Sequence, residues 1–491
     1  MKRLIIAVFT IIACSAQAQD NTLLDSKFWQ TKPSVEIVKA EIAKGNNPSQ
    51  FTPSNHDPVV MAINNDVPIE TIKYLMSQPG NDVAKLTHDG RIYIHWAAMR
   101  GNTDLMEYLL SKGSKATPVD NHGYTPLNFA ANGSQQNTKV YDLCLANGAD
   151  LKKDLNHDGA NALLMAVAND KDFAVTNYFV SKGLSLNSTD AQGNTAFNYA
   201  ARSGKIDVMK ALLAKGVKFN DNAMIMASQG GRGGANTLEL YQYLESLGIK
   251  PAAVAANGQN ALHNIVRRPN QDEIIRYFLS KGVDVNKADA DGNTPFMNAA
   301  ASNRSIETLG LLLPKVKNIN QANKKGVSAL AFAIQSNSPE VVSYLIKNGA
   351  DVKISDADGN NLAYYLIQSY RRGPQQGEFA TKLQILRDNG LDLVAPQKDG
   401  STLYHLAVAK NSIDLLKLIE SLNIDINSKN KEGFTPLHKA VMISKDDVLI
   451  KYLLSAGARK DVKTGFDESA YDLASENESF SKNKVSIDFL K

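Results

Sequence analysis

Apolar residues recur in two short patterns that alternate from near residue 55 to near residue 480. The first pattern is a stretch of small residues rich in alanine. The second places apolar side chains three and four positions apart, as in Ile274, Tyr277 and Phe278, which is the spacing of one face of an amphipathic helix. Polar turn-forming residues separate these stretches. The alternation predicts pairs of short helices joined by turns.

Glycine and alanine positions mark a repeat of about 33 residues. A glycine opens most units, at Gly90, Gly123, Gly159, Gly193, Gly258, Gly292, Gly326, Gly359, Gly400 and Gly433. An alanine follows seven residues later in most of them, at Ala97, Ala130, Ala166, Ala200, Ala299, Ala333, Ala407 and Ala440. A second glycine closes the units, at Gly113, Gly148, Gly183, Gly216, Gly248, Gly282, Gly349, Gly390 and Gly457. Two glycine series with one period indicate a repeat protein.

The segment 289–296, Asp-Ala-Asp-Gly-Asn-Thr-Pro-Phe, shows how a unit begins. Gly292 suits a turn that needs a positive φ, and Pro295 suits the first turn of a helix, where its missing N–H costs nothing. Gly282 supplies the left-handed stop of the preceding helix. A single unit cannot bury its apolar face alone, so we expect the units to stack.

These residues resemble the ankyrin repeat. Gly433-Phe-Thr-Pro-Leu-His-Lys-Ala440 matches its Thr-Pro-Leu-His signature, and the segments that begin at Gly123, Gly193 and Gly258 are close variants. The resemblance implies an all-α repeat solenoid of about thirteen units in a curved array, each a helix-turn-helix with a β-hairpin finger.

The expected boundaries follow from the repeat. We expect an N-terminal helical cap over residues 19–54 and ankyrin repeats over 55–466, followed by a degenerate last repeat, C-terminal cap and tail over 467–491. Two segments depart from the period, 229–235 and 370–378. Each is interpreted as a flexible joint, with a dedicated contact loop as the alternative.

Residues 1–18 have the pattern of an export signal. Lys2 and Arg3 precede a short apolar run, and Ala16-Gln17-Ala18 forms a small-residue cleavage site before Gln19. We therefore expect a periplasmic or secreted protein without a membrane span. The alternative is a membrane-anchored lipoprotein, because Ile11-Ile12-Ala13-Cys14 resembles a bacterial lipobox in which Cys14 is lipidated.

Charge and cysteine content exclude several classes of protein. Removal of residues 1–18 lowers the formal charge from +4 to +2, and no basic stripe favours nucleic acid. Cys144 would then be the single cysteine, so the fold depends on packing and not on disulfides.

Candidate catalytic and metal-binding residues have structural interpretations. His95, His263, His405 and His438 occupy the ankyrin histidine position, five residues after the turn glycine. His88, His122 and His157 fall at successive fingertips, but stacked repeats are too far apart for them to share a zinc ion unless the fingers distort. No nucleophile, metal or phosphate-loop motif is present, so we expect neither enzyme activity nor a cofactor.

The resemblance places partner proteins on the fingertips and the inner helix face. The corresponding residues are His88, Arg91, Met99, Arg100, His122, Tyr124, Arg202, Arg267, Arg268, Lys324, Lys325, Phe434 and Met442. The leading hypothesis is an exported scaffold that binds one or more proteins, as an accessory or an inhibitor of another exported protein. A binder of small molecules or envelope glycans and a purely structural spacer remain as alternatives.

Overall fold

The computed structural model of the protein describes residues 21–231, 234–371, 373 and 376–491. Two compact units form. The first ends at Ala201 and also includes Lys205–Phe219, and the second consists of Arg202–Gly204 and Asn220–Lys491. The proposed signal at residues 1–18, with Cys14, lies outside the described residues.

Short α-helices account for most of both units. The first unit contains α1 (Ser26–Gln30), α2 (Val35–Ala43), α3 (Pro58–Asn64), α4 (Ile69–Met76), α5 (Tyr93–Arg100), α6 (Thr103–Ser111), α7 (Pro126–Asn132), α8 (Thr138–Ala146), α9 (Ala162–Ala166), α10 (Ala174–Ser181), α11 (Ala196–Arg202, whose last residue is grouped with the second unit) and α12 (Ile206–Ala214). The second contains α13 (Asn222–Gln229), α14 (Leu238–Ser246), α15 (Leu262–Ile265), α16 (Asp272–Ser280), α17 (Pro295–Ser302), α18 (Ile306–Leu312), α19 (Ala329–Ser336), α20 (Pro339–Lys347), α21 (Leu362–Ser369), α22 (Gln376–Asp388), α23 (Leu403–Ala409), α24 (Ile413–Glu420), α25 (Pro436–Ile443), α26 (Val448–Ser455), α27 (Ala470–Glu476) and α28 (Glu478–Lys482).

From α3 onward the described helices form thirteen successive pairs, which confirms the predicted repeat fold. We call the first helix of each pair the inner helix and the second the outer helix. Within the units, inner helices of adjacent pairs pack against each other, as α5 does against α7 and α17 against α19. The recurring alanines, such as Ala97 and Ala333, are fully buried at these contacts. Their small side chains allow the backbones to approach closely. The preceding helices α1 and α2 pack on α3 and α4.

The hairpin turn before each inner helix, called a finger below, is shorter than the β-hairpin expected from the resemblance. Most are closed by a hydrogen bond such as the one from Asp289 N–H to Asn293 O, at 2.9 Å. The described residues contain isolated β-bridges, such as Ala322 with Ser328, and no extended strand. Four or five residues per finger leave too little backbone for a strand.

Gly292 shows why the fingertip requires glycine. Its φ is +85°, the left-handed region that other residues resist. A Cβ atom at this position would also lie 2.7 Å from the backbone nitrogen of Lys324 in the next finger. That nitrogen donates to the carbonyl of Asp291 at 3.0 Å. The glycine therefore permits both the turn and the hydrogen bond between adjacent fingers.

Four repeats carry a histidine at the ankyrin position, and each of these histidines connects its repeat to the next. In α23, the Nδ1 of His405 accepts the Thr402 backbone N–H at 3.1 Å, and its Nε2 lies 2.9 Å from the carbonyl oxygen of Phe434 in the following finger. Because Nδ1 accepts, Nε2 must carry the proton and donate. His263 makes the same two contacts, with Asn260 and Asn293. The neutral imidazole is thus the form that the fold requires.

Burial lowers the pKa of these histidines. It lowers the pKa of His95 and of His405 from the ordinary 6.5 to about 4, against the opposing effect of the hydrogen bonds to Tyr124 and Phe434. The unfolded chain then binds more protons than the folded one between pH 6.5 and 4. The associated stability is complete above pH 6.5 and is lost as the pH falls toward 4.

We predict that the free energy of unfolding decreases as the pH is lowered from 7 to 5, with about 2 kcal/mol of the decrease due to His405. The His405→Gln variant should be less stable at pH 7 but should lose about 2 kcal/mol less than the native protein over this range. Urea denaturation at both pH values measures the difference. An equal change in the free energy of unfolding with pH in the two proteins would contradict the assignment of this pH dependence to His405.

Candidate protein-binding surface

Four adjacent fingers of the first unit present large apolar side chains at one equivalent position. Each finger is closed by a backbone hydrogen bond, from Thr52, Thr87, Asp120 and Asn156 to the residue four positions later. The residue immediately before each of these donors is Phe51, Leu86, Val119 or Leu155, with exposed fractions of 37, 65, 59 and 41%. We call these four residues the apolar finger row.

Three of the fingers that bear the row are held side by side by their backbones, and the first is joined to the second by a contact of 2.9 Å between His88 Nδ1 and the carbonyl oxygen of Ser54. Asn121 N–H donates to the carbonyl of Asp89 at 2.9 Å, and His157 N–H donates to that of His122 at 3.3 Å. The side chains of the row therefore stand on a continuous set of fingers. Contiguous exposed apolar groups with a polar rim are typical of protein interaction sites.

Histidines on the same fingers provide part of the polar rim. The rings of His56 and His88 stack with centroids 4.7 Å apart. The Asp89 carboxylate lies 3.3 Å from the Nε2 atoms of both His88 and His122. Burial, and next the charge of His88, lower the pKa of His56. His56 is therefore neutral at pH 7.

Arg91 is buried, contrary to the exposure expected for a partner-binding residue. Only 6% of its surface is exposed. Its Nε donates to Asp120 at 2.8 Å and its Nη1 lies 3.1 Å from Asp89, while the guanidinium carbon stands 4.1 Å from the centroid of the Phe129 ring. Arg91 therefore braces two adjacent fingers, because two carboxylates and an aromatic face enclose its cation.

The other predicted residues of the first unit offer more surface. His122 and Arg100 are exposed, and His88, Met99 and Tyr124 are partly exposed. Arg100 is not an isolated cation, since it forms a two-pronged ion pair with Asp66 of the preceding repeat, one contact being 3.1 Å. The carbonyl oxygen of Tyr124 accepts a hydrogen bond from Nε2 of His95 at 3.1 Å.

In the second unit, two of the predicted arginines hold the irregular segment near residue 230. Arg202 Nε lies 3.4 Å from the carbonyl oxygen of Gly230, and Arg268 donates to that of Gln229 at 2.5 Å. The neighbouring Arg267 is exposed and has no ion pair with a described residue. The local role of Arg202 and Arg268 is thus to bind backbone carbonyls.

The remaining predicted residues lie on later repeats of the second unit. Lys324 and Lys325 are exposed on one fingertip. Phe434 is partly buried, and its carbonyl oxygen accepts the hydrogen bond from Nε2 of His405. Met442, 47% exposed, lies beside Ile443 at the end of α25. Adjacent exposed apolar residues give this helix end a small apolar patch.

Sequence reasoning missed the apolar finger row. It considered positions beside the turn glycine and on the inner helix, whereas Leu86, Val119 and Leu155 each lie four residues before that glycine. The available signal was a large apolar residue directly before the first polar residue of three successive fingers. Phe51 has the same relation to Asn55, which replaces the glycine with a φ of +57°.

The described part of the chain lacks a metal-binding cluster and a membrane-spanning helix, and its buried cysteine has a raised pKa. No group of three or more His, Cys, Asp and Glu side chains there is placed to hold a metal ion. No helix there has the length and apolar character needed to cross a membrane. Cys144 is buried in α8, and burial raises the pKa of its thiol to about 12, which disfavours the reactive thiolate.

The paired helices, fingers and buried histidines define an ankyrin-type repeat array. A family model described as ankyrin repeats matches residues 59–153, 134–223, 224–323, 262–356 and 374–480, and the chain belongs to this family.

Curated relatives resemble parts of the chain. An ankyrin repeat protein of Fowlpox virus is 30% identical over 29% of this chain and 40% of its own length. Alpha-latroinsectotoxin-Lt1a of Latrodectus tredecimguttatus is 27% identical over 62% of this chain and 22% of its own length. An ankyrin repeat protein of Rickettsia bellii is 30% identical over 26% of this chain and 67% of its own length. The chain thus spans less than half of the first two relatives.

We predict that Arg91→Met destabilises the protein by about 3 kcal/mol, because it leaves the Asp120 carboxylate buried without its cation. Arg276→Met is the matched control, since Arg276 is exposed on α16 and should change stability by less than about 0.5 kcal/mol. Urea denaturation compares them. Equal stability of the two variants would refute the bracing role.

Proposed function

We propose that the protein is an exported, non-enzymatic scaffold that holds a partner protein on the fingers of its ankyrin repeats. The apolar finger row is the observation that supports this proposal most strongly. Isolated exposed apolar residues are ordinary on a protein surface, whereas here four lie at equivalent positions of adjacent fingers, and Leu86 and Val119 are more than half exposed.

The geometry of the fingers favours binding over catalysis. Hydrogen bonds between fingertips hold the backbone, so the fingers that bear the row are positioned before a partner arrives. A preorganised surface loses little conformational entropy on association. The histidines, Tyr124 and Arg100 around the row supply polar groups for specificity.

Export is the second part of the proposal and rests on the sequence of residues 1–18. We predict that the protein is released from the cytoplasm with Gln19 as its first residue, because Ala16-Gln17-Ala18 fits a cleavage site. Cell fractionation and N-terminal sequencing measure this. Replacement of Cys14 by Ala should leave processing and release unchanged.

Cytoplasmic protein that retains Met1 would contradict export. A fatty-acid label that disappears in the Cys14→Ala variant would show that the protein is instead a lipoprotein anchored at Cys14.

For the binding surface, we predict that Leu86→Ser with Val119→Ser weakens partner binding at least about tenfold, because interface apolar anchors often contribute more than 1 kcal/mol each. The matched control is Ile37→Ser with Val180→Ser, which changes apolar residues of the same unit that are 50 and 42% exposed on the helices α2 and α10. Crosslinked capture from an extract of the producing organism identifies the partner, and titration with the purified partner measures affinity.

Retention of the partner by the control and its loss from the Leu86/Val119 variant are expected. Equal affinity of the two variants would exclude the row as the binding site. Failure to capture any protein, together with thermal stabilisation by a glycan or small molecule, would contradict the scaffold proposal.

A further inference from the structure

In the described part of the second unit, a group of four cations has one ion-pair partner, Glu378, and the Glu340 carboxylate also interacts with one of them. Arg304, Arg371 and Lys410 lie just after the inner helices α17, α21 and α23. Lys382 lies in the middle of the outer helix α22. We call these four residues the basic cluster.

Lys382 is the unusual member, because it is only 4% exposed. Its Nζ donates to the carbonyl oxygen of Ile334 at 3.0 Å. Burial lowers the pKa of Lys382, and the charges of Arg304 and Arg371 lower it as well, against the opposing charge of Glu378. An ammonium group has three N–H donors, and a neutral carbonyl satisfies one of them without compensating its charge.

The carboxylate closest in sequence to Lys382 is already engaged. Glu378, one turn earlier on α22, pairs with both terminal nitrogens of Arg304 at 3.0 and 3.4 Å. Lys410 is partly buried and has no ion pair with a described residue. Burial and the charge of Arg371 lower the pKa of Lys410. Arg371 itself donates to the backbone carbonyls of Gln368 and Tyr370.

A structural explanation accounts for only part of this arrangement. Cations after the ends of helices interact favourably with the helix dipole, which explains Arg304 and Lys410. It does not explain Lys382, which lies mid-helix. The buried Tyr370 and Phe379, whose rings meet edge-to-face at 5.7 Å, fix the start of α22 and thereby the position of Lys382 one turn further on.

We infer that the basic cluster binds an extended, carboxylate-rich segment of a partner protein. This inference rests on the proposed scaffold function. It adds a second contact between the scaffold and its partner and names the chemistry of that contact. Arg304 and Lys410 are separated by three repeat steps of about 10 Å each. An extended chain rises about 3.3 Å per residue, so an acidic side chain at about every third residue matches that spacing.

The recessed position of the lysines favours such a segment over other anions. A single phosphate group is too small to contact cations distributed over several repeats. A flat anionic bilayer approaches exposed residues such as Arg304, 58% exposed at its side chain, more closely than the buried Lys382. A narrow chain can contact the accessible cations Arg371 and Lys410 directly and interact with the charge of the buried Lys382 over a short distance.

The test uses the mature protein and a fluorescein-labelled polyglutamate peptide, with binding followed by fluorescence anisotropy. We predict saturable binding that weakens as salt is raised. Arg371→Gln with Lys410→Gln should weaken binding at least about tenfold. The matched control is Lys347→Gln with Lys417→Gln, which removes two exposed lysines of the outer helices α20 and α24 and should leave affinity unchanged.

A Lys382→Met variant distinguishes a binding role from a structural one. We predict that it raises the melting temperature, because an incompletely compensated buried charge is removed, and that it weakens peptide binding. A lower melting temperature with unchanged peptide affinity would show that Lys382 is structural and would overturn the inference.

Other outcomes also overturn the inference. One is equal affinity of the Arg371/Lys410 variant and its control. Another is binding of inorganic phosphate or phosphatidylserine vesicles by a protein that does not bind polyglutamate. If the Leu86/Val119 variant loses the captured partner while the Arg371/Lys410 variant keeps it at native affinity, the scaffold proposal stands and this inference fails. Polyglutamate binding without any captured protein would instead leave the basic cluster as an acidic-peptide site and remove the scaffold proposal.

Discussion

In the repeats that carry a buried histidine, the hydrogen bond from its imidazole to the backbone beyond its own repeat fixes the spacing between the two repeats. His405 accepts a backbone N–H of its own turn and reaches the carbonyl of Phe434 in the following finger. The first of these two bonds fixes the start of the inner helix. The second fixes the distance from that helix to the next repeat. Because this bond requires a neutral imidazole, the burial that lowers the pKa of His405 also makes the array lose stability as the pH falls below 6.5.

The backbone hydrogen bonds between adjacent fingers leave the side chains of the fingers available for other roles. The chain of fingertip bonds, such as Lys431 N–H to the carbonyl of Asp399 at 2.9 Å, uses no side chain. Side chains on the fingers can therefore differ between repeats without loss of the fold. The first unit uses this freedom for the apolar finger row. The second uses its inner-helix ends and the long helix α22 for the basic cluster.

The sequence was sufficient to predict the repeat fold because backbone constraints recur with the period. Glycine at 292 is required by a positive φ, and alanine at 333 by the closeness of inner helices, so both appear as regular signals. The burial of Arg91 could not be predicted in the same way. Its burial depends on Asp120 and Phe129 in the next repeat, a combination that the period does not encode. The irregular segment before α22 likewise gave no indication that Lys382 is buried.

Hydrogen exchange on the protein with its captured partner tests the central claim most directly, because it reports where the partner lies without any substitution. The account predicts slower exchange in the fingers at 51–56, 86–91, 119–124 and 155–160, with no change in the outer helices α4, α6, α8 and α10. Slower exchange confined to those outer helices would contradict it, since the partner would then lie on the opposite side of the helix pairs from the fingers.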